Sequence, residues 1–257
     1  TEPAGREKLG PALRKYIIGD RPLLVDRSED LALLSLQGPK AIALLASVLS
    51  QPLSLERPYE HCEATVAGSR TRICRVRRTS AGGFDFIVGR HSLPLVWDLI
   101  LESGKKDGLQ PVGFESFNVH RSEAGIPWYG LDMDDNTLPI EAGLEKDAIS
   151  FNKGCYIGQE SVARITYRGH VNRKLGGLSL SGSRPASKGD KISKDGQEVG
   201  WVTSSAYSPN LKIAIALGYL RREVLEPGAT VLIGTGDESV SAQVMSLPFL
   251  ETQPPVS

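Results

Sequence analysis

The sequence predicts an α+β protein, with helices mixed among antiparallel strands and a small β-barrel at the C-terminal end. Two observations carry this. Between about residues 31 and 120, apolar runs of strand length alternate with runs at helical spacing, and glycine turns separate three consecutive strands, as in a ferredoxin-like unit. From Lys174 onward the texture changes to about six short strands broken by Gly, Ser, Pro and Asn, the pattern of a small barrel. The boundary between the two textures lies near Arg173.

Taken in order, residues 7–16 place Leu9, Leu13 and Tyr16 at helical spacing, and 23–25 read as a short strand before the turn-forming Asp26-Arg27-Ser28-Glu29-Asp30. Residues 31–36 form another strand. After Gly38-Pro39, residues 41–49 read as a helix with proline pre-set near its first turn. Three antiparallel strands follow at 63–67, 70–78 and 84–88, punctuated by Gly68 and Gly82-Gly83, and 93–103 is a helix. The barrel strands are placed at 175–180, 191–193, 197–204, 213–219, 230–233 and 239–245.

Composition bounds the functional class. At 257 residues the chain is long enough for a sizeable core and more than one domain. Its 30 basic and 30 acidic residues cancel, so no global field draws it to nucleic acid or to a membrane. No apolar run approaches the ~18 residues of a membrane-spanning helix. Three cysteines, Cys62, Cys74 and Cys155, are too few and odd in number for a secreted disulfide framework, which points to a reducing compartment. Thr1 to Leu13 is charged and contains two prolines, unlike a secretory signal.

The most informative stretch is Lys153-Gly154-Cys155-Tyr156-Ile157-Gly158-Gln159-Glu160. Two glycines frame one cysteine and allow the backbone conformations of a tight presenting loop. A helix starting near Gln159 directs its positive end toward Cys155, and Lys153 adds a cation, which together favour the thiolate. A thiolate is a nucleophile or a metal ligand. Gln159 and Glu160 are expected to fix the loop by hydrogen bonds. Set against this is the ordinary role of cysteine as a small buried hydrophobe, which the polar neighbours argue against.

This stretch resembles the Lys-Gly-Cys-aromatic-x-Gly-Gln-Glu signature of the folate-binding, iron–sulfur-cluster-assembly branch of the glycine-cleavage T-protein (aminomethyltransferase) family. The likeness extends through Arg121-Ser122-Glu123-Ala124-Gly125-Ile126-Pro127, Tyr129-Gly130-Leu131-Asp132, Leu138-Pro139-Ile140-Glu141-Ala142-Gly143-Leu144 and Tyr167-Arg168-Gly169-His170-Val171-Asn172-Arg173. It is strongest from about 115 to 175. The resemblance implies an aminomethyltransferase-like α+β fold: a split first, folate-binding domain (1–30 and 126–172), an inserted ferredoxin-like domain (31–125) and a C-terminal six-stranded barrel (173–257). Family members carry further N-terminal strands ahead of the segment that residues 13–18 resemble. The transferase branch keeps its catalytic aspartate there, so the N-terminal part of the first domain is expected to be missing from this chain.

The same resemblance implies a site. Glu123 matches the glutamate that contacts folate, the alternative being a strand-end ion pair with Arg121. Tyr129 is favoured, over Trp128, to stack on the pterin. The cations Arg164, Arg168, His170, Arg173 and Lys174 suit the anionic glutamate tail of folate or an acidic partner surface, although Arg164 also lies four residues after Glu160 and supports the helix. The resulting expectation is a tetrahydrofolate-binding accessory protein in assembly or repair of iron–sulfur proteins. It acts through Cys155, as ligand to a transient cluster shared with an A-type carrier, because a cluster needs about four ligands and the chain has no cysteine set of its own. The alternative is a folate-dependent aminomethyl or methyl transferase. The bacterial cytoplasm is the expected compartment, with the mitochondrial matrix as the alternative.

Three further clusters read as structural. Asp132, Asp134 and Asp135 lack the glycine and distant glutamate of a calcium loop and are read as a solvated turn. His61, Cys62 and Cys74 are not spaced as zinc ligands. Arg70, Arg72, Arg75, Arg77 and Arg78 read as a basic solvated or edge strand.

Overall fold

The computed structural model describes residues 5–17, 19, 22–49, 55–234 and 239–250, excepting the side chains of Tyr167 and Arg168. These residues group into two compact units, one ending at Ala124 and the other spanning Gly125–Leu250.

The first unit opens with helix α1 (Arg6–Lys15), as the spacing of Leu9 and Leu13 predicts. Residues 23–25 form no strand. Leu23 is 89% exposed, and no described segment pairs with it, which a strand requires. Strand β1 (Leu31–Gln37) leads into helix α2 (Ala41–Val48), then strands β2 (His61–Val66), β3 (Ser69–Val76) and β4 (Gly83–Gly89) and helix α3 (Leu93–Gly104). The sheet order is β1-β4-β3-β2, antiparallel throughout. The α+β unit is therefore built as strand, helix, three strands, helix, a different chain order from the doubled β-α-β of a ferredoxin plait. One sheet face packs Val66, Ile73, Phe86 and Val88 against Leu44 and Leu45 of α2 and Val96 and Ile100 of α3.

The arginines of β3 and just after it are ordered by neighbours, Arg70 and Arg72 on the face opposite Ile73 and Arg75 on the same face as Ile73. β3 is an interior strand, not an edge, because β2 and β4 flank it. Arg70 and Arg72 both pair with Glu63 on β2, and Arg75 donates to the Leu55 carbonyl at 2.6 Å. Arg78 makes a forked pair with Asp85, which is buried. The basic run is thus solvated but cross-strand paired.

Helix α4 (Phe114–Glu123) closes this unit. Its buried residues are Arg121, Ser122 and Glu123, not its aromatic ones, so no apolar stripe marks it in the sequence.

The second unit contains a short helix α5 (Glu145–Ala148), helix α6 (Gln159–Arg168) and six strands: β5 (Arg173–Leu180), β6 (Lys191–Lys194), β7 (Gln197–Ser208), β8 (Ile213–Arg221), β9 (Thr230–Ile233) and β10 (Val240–Met245). They close into a barrel in the order β10-β5-β8-β7-β6-β9. Leu178, Ile192, Val202, Leu220, Val231 and Val244 fill its interior. The β6–β7 hairpin turns through Asp195 and Gly196, both at positive φ, the geometry for which Asp-Gly is favoured. Register shifts at Ile192/Ser193 and Val202/Ser204 supply the bends that closure requires.

Candidate functional site

The cysteine motif lies in an irregular loop ahead of α6. Gly158 occupies the N-cap position at φ +88°, a left-handed conformation natural to glycine, and its carbonyl accepts from Val162 N–H. The loop closes on itself: Tyr156 N–H donates to Gln159 Oε1 at 3.1 Å, and Gln159 N–H donates to the Tyr156 carbonyl at 3.2 Å. Gln159 therefore fixes the loop as expected. Glu160 does not; it is exposed and makes no hydrogen bond or ion pair among the described residues, Arg164 included. The reason is placement, since Glu160 sits on the outer face of the first helical turn.

Cys155 is exposed, unlike Cys62 and Cys74, whose thiols burial pushes up from their ordinary pKa. Exposed Phe151 and Ile157 flank it. Lys153 Nζ lies 4.8 Å from the Tyr156 ring centroid, so its charge is engaged with the neighbouring π-face. Arg164 is exposed on α6, and the side chain of Arg168 lies outside the described residues.

The remaining cations separate. Arg173 Nε and Nη2 each lie 3.2 Å from Glu141 carboxylate oxygens, and its guanidinium carbon is 5.0 Å from the Trp201 ring and 5.6 Å from that of Tyr219. Lys174 pairs with Glu145 at 2.7 Å. These two are structural and do not form a free anion-attracting patch with Arg164. His170 joins Asn172, Arg221 and Arg222 along an open cleft of about 590 Å³.

Tyr129 is half-buried, and its hydroxyl donates to Asp135 Oδ1. Asp132 is not part of a solvated turn. It is 3% exposed, accepts from Trp128 N–H at 2.9 Å, and accepts from Thr203 Oγ1 at 2.6 Å. Asp134 does serve the turn, accepting from Asn136 N–H at 2.8 Å. Tyr219 stacks against Trp201 at 5.4 Å; its buried hydroxyl has no well-formed hydrogen bond among the described residues, and Thr137 approaches it. Burial pushes this phenol up to about 12.

Glu123 lies in the last turn of α4, in the first unit. Arg121 and Glu123 both lie in the last turn of this helix rather than at the end of a strand. Arg121 Nε donates to Asn118 Oδ1 at 2.7 Å, whereas Glu123 Oε2 is 3.5 Å from His120 Nδ1 one turn earlier. Glu123 is 1% exposed, and the neighbouring Ser122 Oγ is buried with no hydrogen-bond partner among the described residues.

Sequence reasoning missed the pairing of Asp132 with Thr203 and of Glu141 with Arg173. Their separations of 71 and 32 residues leave no periodic signal.

Two sequence-family matches cover most of the chain: "GCVT N-terminal domain" over residues 3–153 and "Glycine cleavage T-protein C-terminal barrel domain" over 173–251. The aminomethyltransferase of Halothermothrix orenii is 33% identical over 230 residues, covering 90% of this chain and 64% of that protein. The aminomethyltransferase of Thermotoga maritima is 34% identical over 222 residues, covering 86% and 60%. Among solved structures, the glycine cleavage system aminomethyltransferase T from Bartonella henselae matches with a TM-score of 0.75 at 25% identity, over 88% of this chain and 61% of that one. The chain spans less than two thirds of the length of these relatives.

Proposed function

The chain belongs to the glycine-cleavage T-protein family, and from that premise we propose that it binds tetrahydrofolate and serves one-carbon transfer of the aminomethyltransferase type. The observation that carries this is the name borne by the relatives matched over both parts of the chain. Two features fit the ligand. Glu123 is a carboxylate held out of water, of the kind that accepts paired hydrogen bonds from an aminopyrimidine edge, and Ser122 Oγ beside it in sequence is a buried hydroxyl with no hydrogen-bond partner among the described residues.

When bound, tetrahydrofolate supplies the nitrogens that accept and carry the one-carbon unit. The chain's own contributions are recognition and orientation. Glu123 fixes the pterin edge. Tyr129 offers an aromatic face. Arg164 and Arg168 attract the glutamate tail.

A second reading rests on Cys155, whose thiol is exposed in a glycine-framed loop. It would act as ligand to an iron–sulfur cluster shared with an A-type carrier, making the chain a tetrahydrofolate-binding assembly or repair factor.

Anaerobic titration of the protein with tetrahydrofolate tests the common element. Glu123→Ala is expected to weaken binding by about 1–3 kcal/mol; an unchanged dissociation constant removes Glu123 from the site. Spectra after mixing with a cluster-loaded carrier, wild type beside Cys155→Ser, separate the two readings. A cluster signal lost only in Cys155→Ser supports assembly, and its absence from both leaves the transferase.

A further inference from the structure

The segment from Trp128 to Leu144 is fastened to the barrel by polar contacts, two of them through its carboxylates. At the first, the Asp132 carboxylate bridges two elements: Oδ2 accepts from Trp128 N–H at 2.9 Å, and Oδ1 accepts from Thr203 Oγ1 of β7 at 2.6 Å. At the second, Glu141 holds Arg173 of β5 through both carboxylate oxygens, and the Glu141 carbonyl accepts from Leu175 N–H at 2.7 Å. Arg173 is itself confined by the rings of Trp201 and Tyr219.

Around the first of these fastenings the chain is tightly folded. Gly130 N–H donates to the Met133 carbonyl at 2.8 Å, Lys188 Nζ reaches the Gly130 carbonyl at 3.3 Å, and the Tyr129 hydroxyl is tied to Asp135. Tyr129 is thus held at its backbone by a clamped turn and at its far end by a carboxylate. Apolar packing alone would attach the segment; forked and charge-assisted bonds also fix its orientation, because they are directional.

We propose that Asp132 and Arg173 are positioning residues, clamping the 128–144 segment so that Tyr129 presents its ring to the pterin in one orientation. This rests on the folate reading above. A ring already immobilised loses little rotamer freedom when a ligand stacks on it, whereas a loosened one loses that freedom on binding. Releasing the clamp therefore weakens tetrahydrofolate binding through Tyr129, roughly three- to tenfold, although neither Asp132 nor Arg173 touches the ligand.

The test combines calorimetric titration with tetrahydrofolate and amide hydrogen exchange across residues 128–137. It uses the wild type, Arg173→Lys, Tyr129→Ala and the double variant. Arg173→Lys keeps the charge and loses the fork. The expected result is weaker binding and faster exchange in Arg173→Lys, with the binding loss absent in the Tyr129→Ala background. Additive losses in the double variant, or unchanged exchange in Arg173→Lys, overturn the clamp. If Arg173→Lys does not fold, Glu141→Gln carries the same comparison. Failure of the wild type to bind overturns the folate reading and the ligand named here, and exchange still decides whether the clamp exists.

Discussion

Replacing Thr203 with valine isolates one hydrogen bond with almost no change of shape. The Thr203 hydroxyl lies 2.6 Å from Asp132 Oδ1 and 3.2 Å from the Leu217 carbonyl. A single hydroxyl hydrogen serves one acceptor well, and the shorter contact to a carboxylate is the stronger. Both residues are buried, at 6% and 3% exposure, so water does not replace the lost donor. Valine fills the same volume and opens no cavity, so the cost is that of one bond to a charged group, about 1.5–3 kcal/mol. For a chain of this size that corresponds to a fall in thermal midpoint of roughly 3–10 °C. Thermal unfolding followed by circular dichroism measures it, with Thr203→Ser as the control that retains the hydroxyl. A Thr203→Val midpoint within about 1 °C of the wild type would refute the reasoning and remove Asp132 from the barrel anchor.

Arg78→Met removes the partner of the buried Asp85 and is expected to destabilise the first unit by about 2–4 kcal/mol, somewhat below the cost for a fully buried pair because Arg78 is partly exposed; urea unfolding reads it. Gly200→Ala places a Cβ 2.0 Å from the Tyr219 carbonyl oxygen, so β7 and β8 must separate locally, at a cost of about 3 kcal/mol seen in the same assay. The Tyr219 phenol, raised to about 12 by burial, is a group whose protonated form the native state favours. Its contribution is complete below the ordinary value near pH 10 and is lost as pH rises through about 12. Urea midpoints at rising alkaline pH should show this loss in the wild type and not in Tyr219→Phe.

The barrel was legible because its strands are short and its turns carry glycine, as at Asp195-Gly196, where residue type and backbone geometry agree. The helix at Gln159 and its self-closing loop were legible for the same local reason. Helix α4 was not, since its buried face is Arg121, Ser122 and Glu123 and hydrophobic periodicity is silent about polar burial. The basic run on β3 was read as a solvated or edge strand; it is solvated, and its interior place follows from strand order, a tertiary property that composition does not encode. Arg173 was grouped with Arg164 by proximity in sequence. The fold gives it to Glu141 instead, across 32 residues. Thr203 offered no signal at all: it sits at the β7 register shift, where an extra residue re-aims a side chain that alternation alone assigns otherwise.

The unequal exposure of the three thiols gives the protein a built-in attachment point for a reporter group. Cys155 faces solvent, while Cys62 and Cys74 are partly covered and burial disfavours their thiolates. A maleimide dye supplied at one equivalent near neutral pH should therefore label Cys155 first, without any cysteine being added or removed. Anchored two residues from Lys153 and four from Gln159, the fluorophore would register arrival of a partner at this loop in real time. The same accessibility makes aerobic storage hazardous, because two such thiols on different molecules are free to oxidise into a covalent dimer that a reductant would reverse.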